Sequence, residues 1–128
     1  MADINLSDYK ALYLQTARKY VTDIQSGLAV LDSDLANKDA IESIYISTHS
    51  LKSQSQVMTY VQTGALSGEI EALFRAVREG KVTITAEIVT QLKQAAASLA
   101  ASLDSIEKDS KESDLAQAAD AIHKIVSS

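Results

Sequence analysis

The chain has 128 residues, a formal net charge of −5, and neither cysteine nor proline. That length suits one unit spanning 1–128, because two separate cores would each be marginal. The acidic balance supplies no basic stripe for nucleic acid or an anionic membrane surface, and the lack of thiols excludes disulfides and thiolate metal sites.

The opening M-A-D-I-N-L-S-D has no basic segment leading into an apolar core, and no apolar run approaches the ~18 residues of a membrane span. A cytoplasmic protein is expected, with no membrane partner. Aromatics are only 5% and glycines number four, a composition that favours helices over turns and strands.

Ser7 is positioned as an N-cap, and Tyr9, Leu12, Tyr13, Ala17, Tyr20, Ile24, Leu28 and Leu31 follow at three-to-four spacing, predicting a long first helix. After the polar run D-S-D-L-A-N-K-D, a second helix is predicted from Asp39 to about Tyr60, with Ile41, Ile44, Thr48, Leu51, Ser55 and Met58 on its inner face. A turn is expected around Thr63-Gly64. Leu66, Ile70, Leu73, Phe74 and Val77 then define a third helix, closed by Gly80. Thr85 caps a fourth, carrying Ile88, Leu92, Ala95, Leu99, Leu103 and Ile106. The charged stretch E-K-D-S-K-E-S separates it from a final amphipathic segment with Leu115, Ala118, Ala119, Ile122, Ile125 and Val126. Five single-striped helices with short connections predict an all-α fold: an up-and-down antiparallel four-helix bundle with an additional C-terminal helix.

At 100° per residue, His49 falls roughly 130° from the centre of the second helix's apolar face, so its imidazole should meet solvent. Lys52 lies about one turn further on, near enough for its ammonium to reach a group attached to the ring. Ile46, Ser50, Ser53 and Val57 share the outward side, and two branched apolar residues around a histidine suit a docking patch. On spacing alone, however, the preferred reading is that His49 and Lys52 are solvated surface residues and that Ile46 and Val57 are covered by another helix.

The segment H-S-L-K, continued by S-Q-S-Q-V-M-T-Y, resembles the phosphoacceptor segment of histidine-containing phosphotransfer (HPt) domains, particularly the N-terminal domain of the CheA family of chemotaxis histidine kinases. The resemblance extends through G-A-L-S-G-E-I-E-A-L-F-R-A-V-R-E-G-K-V and T-A-E-I-V-T-Q-L, and includes the opening D-Y-K-A-L-Y-L-Q-T-A. It implies that His49 accepts a phosphoryl group at Nε2, that Lys52 is the cation beside the phosphoryl oxygens, and that Glu71 accepts a hydrogen bond from Nδ1–H. It also implies two partners: a response-regulator receiver domain, which would bring the divalent ion of the reaction, and a histidine kinase catalytic domain on the same or a separate chain.

Three positions depart from the family pattern. Ser53 and Thr59 stand where glycines are usual, at points where a partner backbone would approach. Gly68 stands where chemotaxis kinases often carry a second histidine, which implies a wider site.

His123 has no motif around it and reads as surface; with Asp120 it makes only one incomplete pair, so no metal ligand is assigned. The five tyrosines read mostly as packing residues. Gly64 and Gly68 make no phosphate loop, so no cofactor is expected in this domain, and no phosphorylation from ATP without help. The expected function is that of a phosphocarrier passing a phosphoryl group from His49 to a receiver aspartate. Two rivals keep the fold: a binding module that docks a receiver or kinase without turning over phosphate, and a structural protein self-associating through Ile46 and Val57.

Overall fold

The structure, a computed structural model, describes residues 6–127, and side chains from residue 8 onward. Five helices follow in order: α1 (Leu6–Ser33), α2 (Lys38–Val57), α3 (Val61–Arg78), α4 (Ala86–Asp109) and α5 (Ala116–Ser127). The short connections force each of the first four to run against its predecessor. Helix α1 packs on α2 and α4, α2 packs on α3, and α5 lies against both α3 and α4, which touch each other less than any other packed pair. The inward stripes of Leu28, Ile44, Leu51, Leu73, Phe74 and Leu99 meet in one core. Among the described residues there is no strand, and no helix is long and apolar enough to cross a membrane.

The boundaries correct the sequence reading in three places. Ser7 lies inside α1 rather than ahead of it, and its side chain is outside the described residues. Helix α2 starts at Lys38, one residue before the expected Asp39, and Asn37 caps it by accepting from the Ala40 amide at 2.9 Å. The turn expected at Thr63-Gly64 falls earlier: α2 stops at Val57, and Thr63 and Gly64 are buried within α3.

The cause of the early stop is Thr59, whose φ of +64° places it in the left-handed region. The Thr59 N–H donates to the Gln56 carbonyl at 3.0 Å and the Tyr60 N–H to Ser55 at 2.9 Å, so two otherwise orphaned carbonyls at the helix end are satisfied. The end of α3 repeats this arrangement with Gly80 at φ +76°, the Gly80 N–H donating to Val77 at 3.1 Å and the Lys81 N–H to Ala76 at 2.9 Å. Glycine reaches that conformation without a Cβ penalty; a β-branched threonine does not. The departure at Thr59 therefore acts first on the backbone, as the residue that terminates α2. Thr85 caps α4 as expected, accepting from the Ile88 amide at 3.2 Å.

Tyr60, at the head of α3, supplies no side-chain cap. Its place is taken from a distance by Glu112, in the α4–α5 connection, which accepts from the Gln62 amide at 3.1 Å, the Thr63 amide at 2.7 Å and the Thr63 hydroxyl at 2.8 Å. A carboxylate at a helix N-terminus satisfies free N–H groups and meets the positive end of the helix dipole. The Leu115 amide donates back to the Gln62 side chain at 2.6 Å, fastening the start of α5 to the same point.

Candidate functional site

Residues Thr48 to Lys52 divide their duties by helical phase. Thr48 and Leu51 face the core and are fully buried, while His49 turns outward with its side chain 58% exposed. Thr48 satisfies its buried hydroxyl by donating to the Ile44 carbonyl at 2.9 Å, so the inner face needs no polar partner from elsewhere. Lys52, one turn on, runs along the α2–α3 seam.

On the facing side of that seam α3 presents Glu71, only 2% exposed. Its Oε2 lies 2.5 Å from His49 Nδ1 and its Oε1 lies 2.7 Å from Lys52 Nζ. Arg75, one turn further along α3, brings Nη2 to 3.6 Å from Oε2. Burial by itself pushes the Glu71 carboxyl up, but the hydrogen bonds from Lys52 and His49 and their positive charge outweigh it and hold the group below the usual carboxylate value. Glu71 is thus an anion at neutral pH. A carboxylate oxygen can only accept, so in the neutral ring the proton sits on Nδ1 and the lone pair on Nε2. The nitrogen left facing outward is the nucleophilic one.

His49, Lys52 and Glu71, the three residues singled out in the sequence, are therefore in direct contact. Arg75 was not singled out, although the i,i+4 spacing from Glu71 was a readable signal. It belongs to a cationic strip beside the histidine: Tyr45, one turn before His49, has the Arg75 guanidinium 6.0 Å and the Arg78 guanidinium 4.3 Å from its ring centroid, and Arg78 pairs with Glu42 at 3.1 Å.

The space at Gly68 is not an empty widening of the site. A Cβ built there would stand 3.1 Å from Lys52 Cδ, so the lysine stem occupies the room the missing side chain leaves. Gly68 lets Lys52 lie close against α3 and reach Glu71. The expectation of a wider site is corrected accordingly.

Away from the cationic strip, several large apolar side chains are exposed. Val57 is 82% exposed, and Ile46, Leu12, Tyr9 and Val61 also face outward. Tyr9, Leu12, Thr16, Ser53, Val57 and Met58 line a groove of about 360 Å³ between α1 and α2. Ser53 is part of this lining, half-buried, so its hydroxymethyl group lies on the floor of any contact made there. Of the tyrosines only Tyr13 is buried; Tyr20, Tyr45 and Tyr60 are half-buried and Tyr9 is exposed.

A helical bundle that presents an exposed imidazole, held through Nδ1 by a buried carboxylate and flanked by lysine, is a histidine-bearing scaffold with no nucleotide loop in its sequence. Comparison with known proteins gives that class its family. The family model described as "Hpt domain" matches residues 8–102, and the chain belongs to the Hpt family. Among its relatives are the chemotaxis protein CheA of Halobacterium salinarum, 24% identical over 80% of this chain, and that of Borreliella burgdorferi, 26% identical over 70%. The chain spans only 15% and 10% of the length of those two proteins. Its fold matches the crystal structure of the phosphorylated P1 domain of CheA3 in complex with CheY6 from R. sphaeroides, with a TM-score of 0.86 at 18% identity, covering 95% of this chain and 98% of that one.

Proposed function

We propose that this domain is a phosphocarrier of a chemotaxis-type two-component relay: His49 takes a phosphoryl group at Nε2 and passes it to an aspartate of a response-regulator receiver. The observation that carries this reading is the bond between the half-exposed ring and the 2%-exposed carboxylate of Glu71. In the first step the Nε2 lone pair attacks phosphorus, the bond from phosphorus to the donor's leaving oxygen breaks, and a kinase catalytic domain supplies the ATP. Positive charge builds on the ring, and Glu71 stabilises it through Nδ1–H. In the second step the receiver carboxylate attacks, the N–P bond breaks, and its electron pair returns to Nε2.

Lys52 acts on the phosphoryl oxygens. An ammonium has three N–H donors, and only one is needed for the 2.7 Å contact with Glu71, so the others can be offered to the incoming group. The exposed Val57 and Ile46 and the α1–α2 groove give the receiver an apolar contact area beside the reacting nitrogen. The CheA3–CheY6 neighbour supports a receiver as partner, and a cytoplasmic location, as one unit of a larger kinase or as a separate carrier, goes with this reading.

Incubation with phosphoramidate, followed by intact-mass analysis and site mapping, tests the proposal. A rapid, acid-labile addition of one phosphoryl group at His49, absent from His49→Gln and discharged by a CheY-type receiver domain, is the expected result. A His49 that stays unlabelled, or a label that no receiver removes, would move the reading to a docking module without turnover.

A further inference from the structure

Helix α3 carries two glutamates that face opposite ways. Glu69 and Glu71 are two residues apart, about 200° around the helix, so one points toward α5 and the other toward α2. Each meets a histidine. Glu69 Oε2 lies 3.0 Å from Nδ1 of His123, on α5, as Glu71 Oε2 lies 2.5 Å from Nδ1 of His49. His123 is 61% exposed, close to the 58% of His49. Both rings are thus held through Nδ1 by a carboxylate from the same helix, with Nε2 left outward.

We propose that His123 is a second phosphoryl acceptor, modified at Nε2 by N-phosphoryl donors of the phosphoramidate class. The proposal is independent of whether His49 serves a receiver. With phosphoramidate, the Nε2 lone pair attacks phosphorus, the P–N bond of the donor breaks, and its electron pair leaves with ammonia. The charge gained by the ring is held by Glu69 through the Nδ1 proton.

Two differences set the rate below that of His49. Glu69 is 30% exposed, so water weakens its hold on the ring. Among the described residues no lysine or arginine is in ion-pair contact with Glu69, whereas Glu71 has both Lys52 and Arg75; the neighbouring Lys124 is engaged by Asp120 at 3.1 Å. A missing donor beside the transferring oxygens makes His123 roughly a hundred- to a thousandfold slower than His49.

The test uses the whole chain as the His49→Gln variant, labelled with phosphoramidate and read by site-mapped mass spectrometry and by phosphorus and nitrogen NMR, which distinguish Nε2 from Nδ1 adducts. The expected result is a slow adduct at Nε2 of His123, reduced at least about tenfold by Glu69→Ala and partly restored by Glu69→Gln, which keeps an acceptor for Nδ1–H. In His49-containing protein, His123→Gln should leave the fast label at His49 unchanged. No adduct on His123, a mixture of Nδ1 and Nε2 adducts, or a rate indifferent to Glu69 would overturn the proposal. Each of these outcomes leaves the reading of His49 to stand or fall on its own label. All three substituted positions carry exposed or half-exposed side chains, and circular dichroism of the variants checks that the bundle is intact.

Discussion

Glu71→Gln keeps the shape of the side chain and an acceptor for the His49 Nδ1–H while removing the charge. In the native protein that charge takes part in two short contacts, 2.5 Å to His49 and 2.7 Å to Lys52. A hydrogen bond to a charged group contributes about 1.5–3 kcal/mol and a neutral one about 0.5–1.5 kcal/mol, so the bond to His49 weakens by roughly 1 to 1.5 kcal/mol, while the Lys52 contact is lost because the other end of the amide is itself an N–H donor. Only the bond to His49 strengthens as the ring becomes positive during attack, and its share corresponds to about a tenfold slower reaction. Both contacts count toward the fold, which should lose about 3 kcal/mol. The sign of the pH effect follows from the direction of the shift. Glu71 is held below its ordinary value of 4.5, so its stabilising contribution is present above that value and is lost as pH falls through the lower folded value. Glu71→Gln should therefore flatten the acid limb of the stability profile. Phosphoramidate labelling of His49 at neutral pH gives the rate, and urea titrations from neutral to acid pH give the stability. Labelling as fast as wild type, in a variant with unchanged helix content, would refute the role of the carboxylate charge.

Thr59→Gly relieves a β-branched residue at φ +64°. The left-handed conformation costs about 1–2 kcal/mol, the extra freedom of unfolded glycine recovers about half of it, and a gain of roughly 0.5–1 kcal/mol in urea is expected; a loss would show that the threonine is not strained. Glu112→Ala removes the acceptor of three bonds at the head of α3 and should destabilise the bundle by about 1–2 kcal/mol, with faster hydrogen exchange at Gln62 and Thr63; unchanged protection there would count against the cap. The Tyr13 phenol is pushed up to about 12, burial outweighing its 2.8 Å bond with Ser55. The neutral form is favoured in the fold, so this contribution is complete below pH 10 and lost as pH rises toward 12. Its size is roughly 2–3 kcal/mol, and Tyr13→Phe should shrink the alkaline loss of stability.

What the sequence made legible was local. Thr85 and Gly80 sit where a cap and a helix stop belong, and the stripe through Ile44, Leu51 and Ser55 fixed the outward phase of His49. The His49 and Glu71 pairing was readable only through family resemblance, since 22 positions separate the two and periodicity says nothing about which residues meet across a seam; the Lys52 contact with Glu71 was not read at all. Glu112 was invisible for the same reason: it closes a helix roughly fifty residues away, and in sequence it is one more charge in a polar run. The turn at Thr59 was misplaced because threonine is a poor candidate for a positive φ, whereas Thr63-Gly64 carries the usual turn signal. Gly64 is used instead for close packing, with α2 so near that a Cβ would stand 3.3 Å from Gln56 Cγ. His123 lacked any local motif, and its significance comes from a glutamate on another helix.

The two carboxylates on opposite flanks of α3 make that helix a torsion bar. Side-chain tips stand roughly 5–6 Å from a helix axis, so a twist of about 20° carries them some 2 Å sideways. Such a rotation would carry the two tips in opposite directions and misalign both glutamates with their histidines. Torque applied at one face is thereby opposed at the other, and the clamp of Glu112 on the first turn of α3 sets the zero of the rotation. A load pulling on the α4–α5 connection would reach His49 through this axle and the Glu71 contact that joins it to α2.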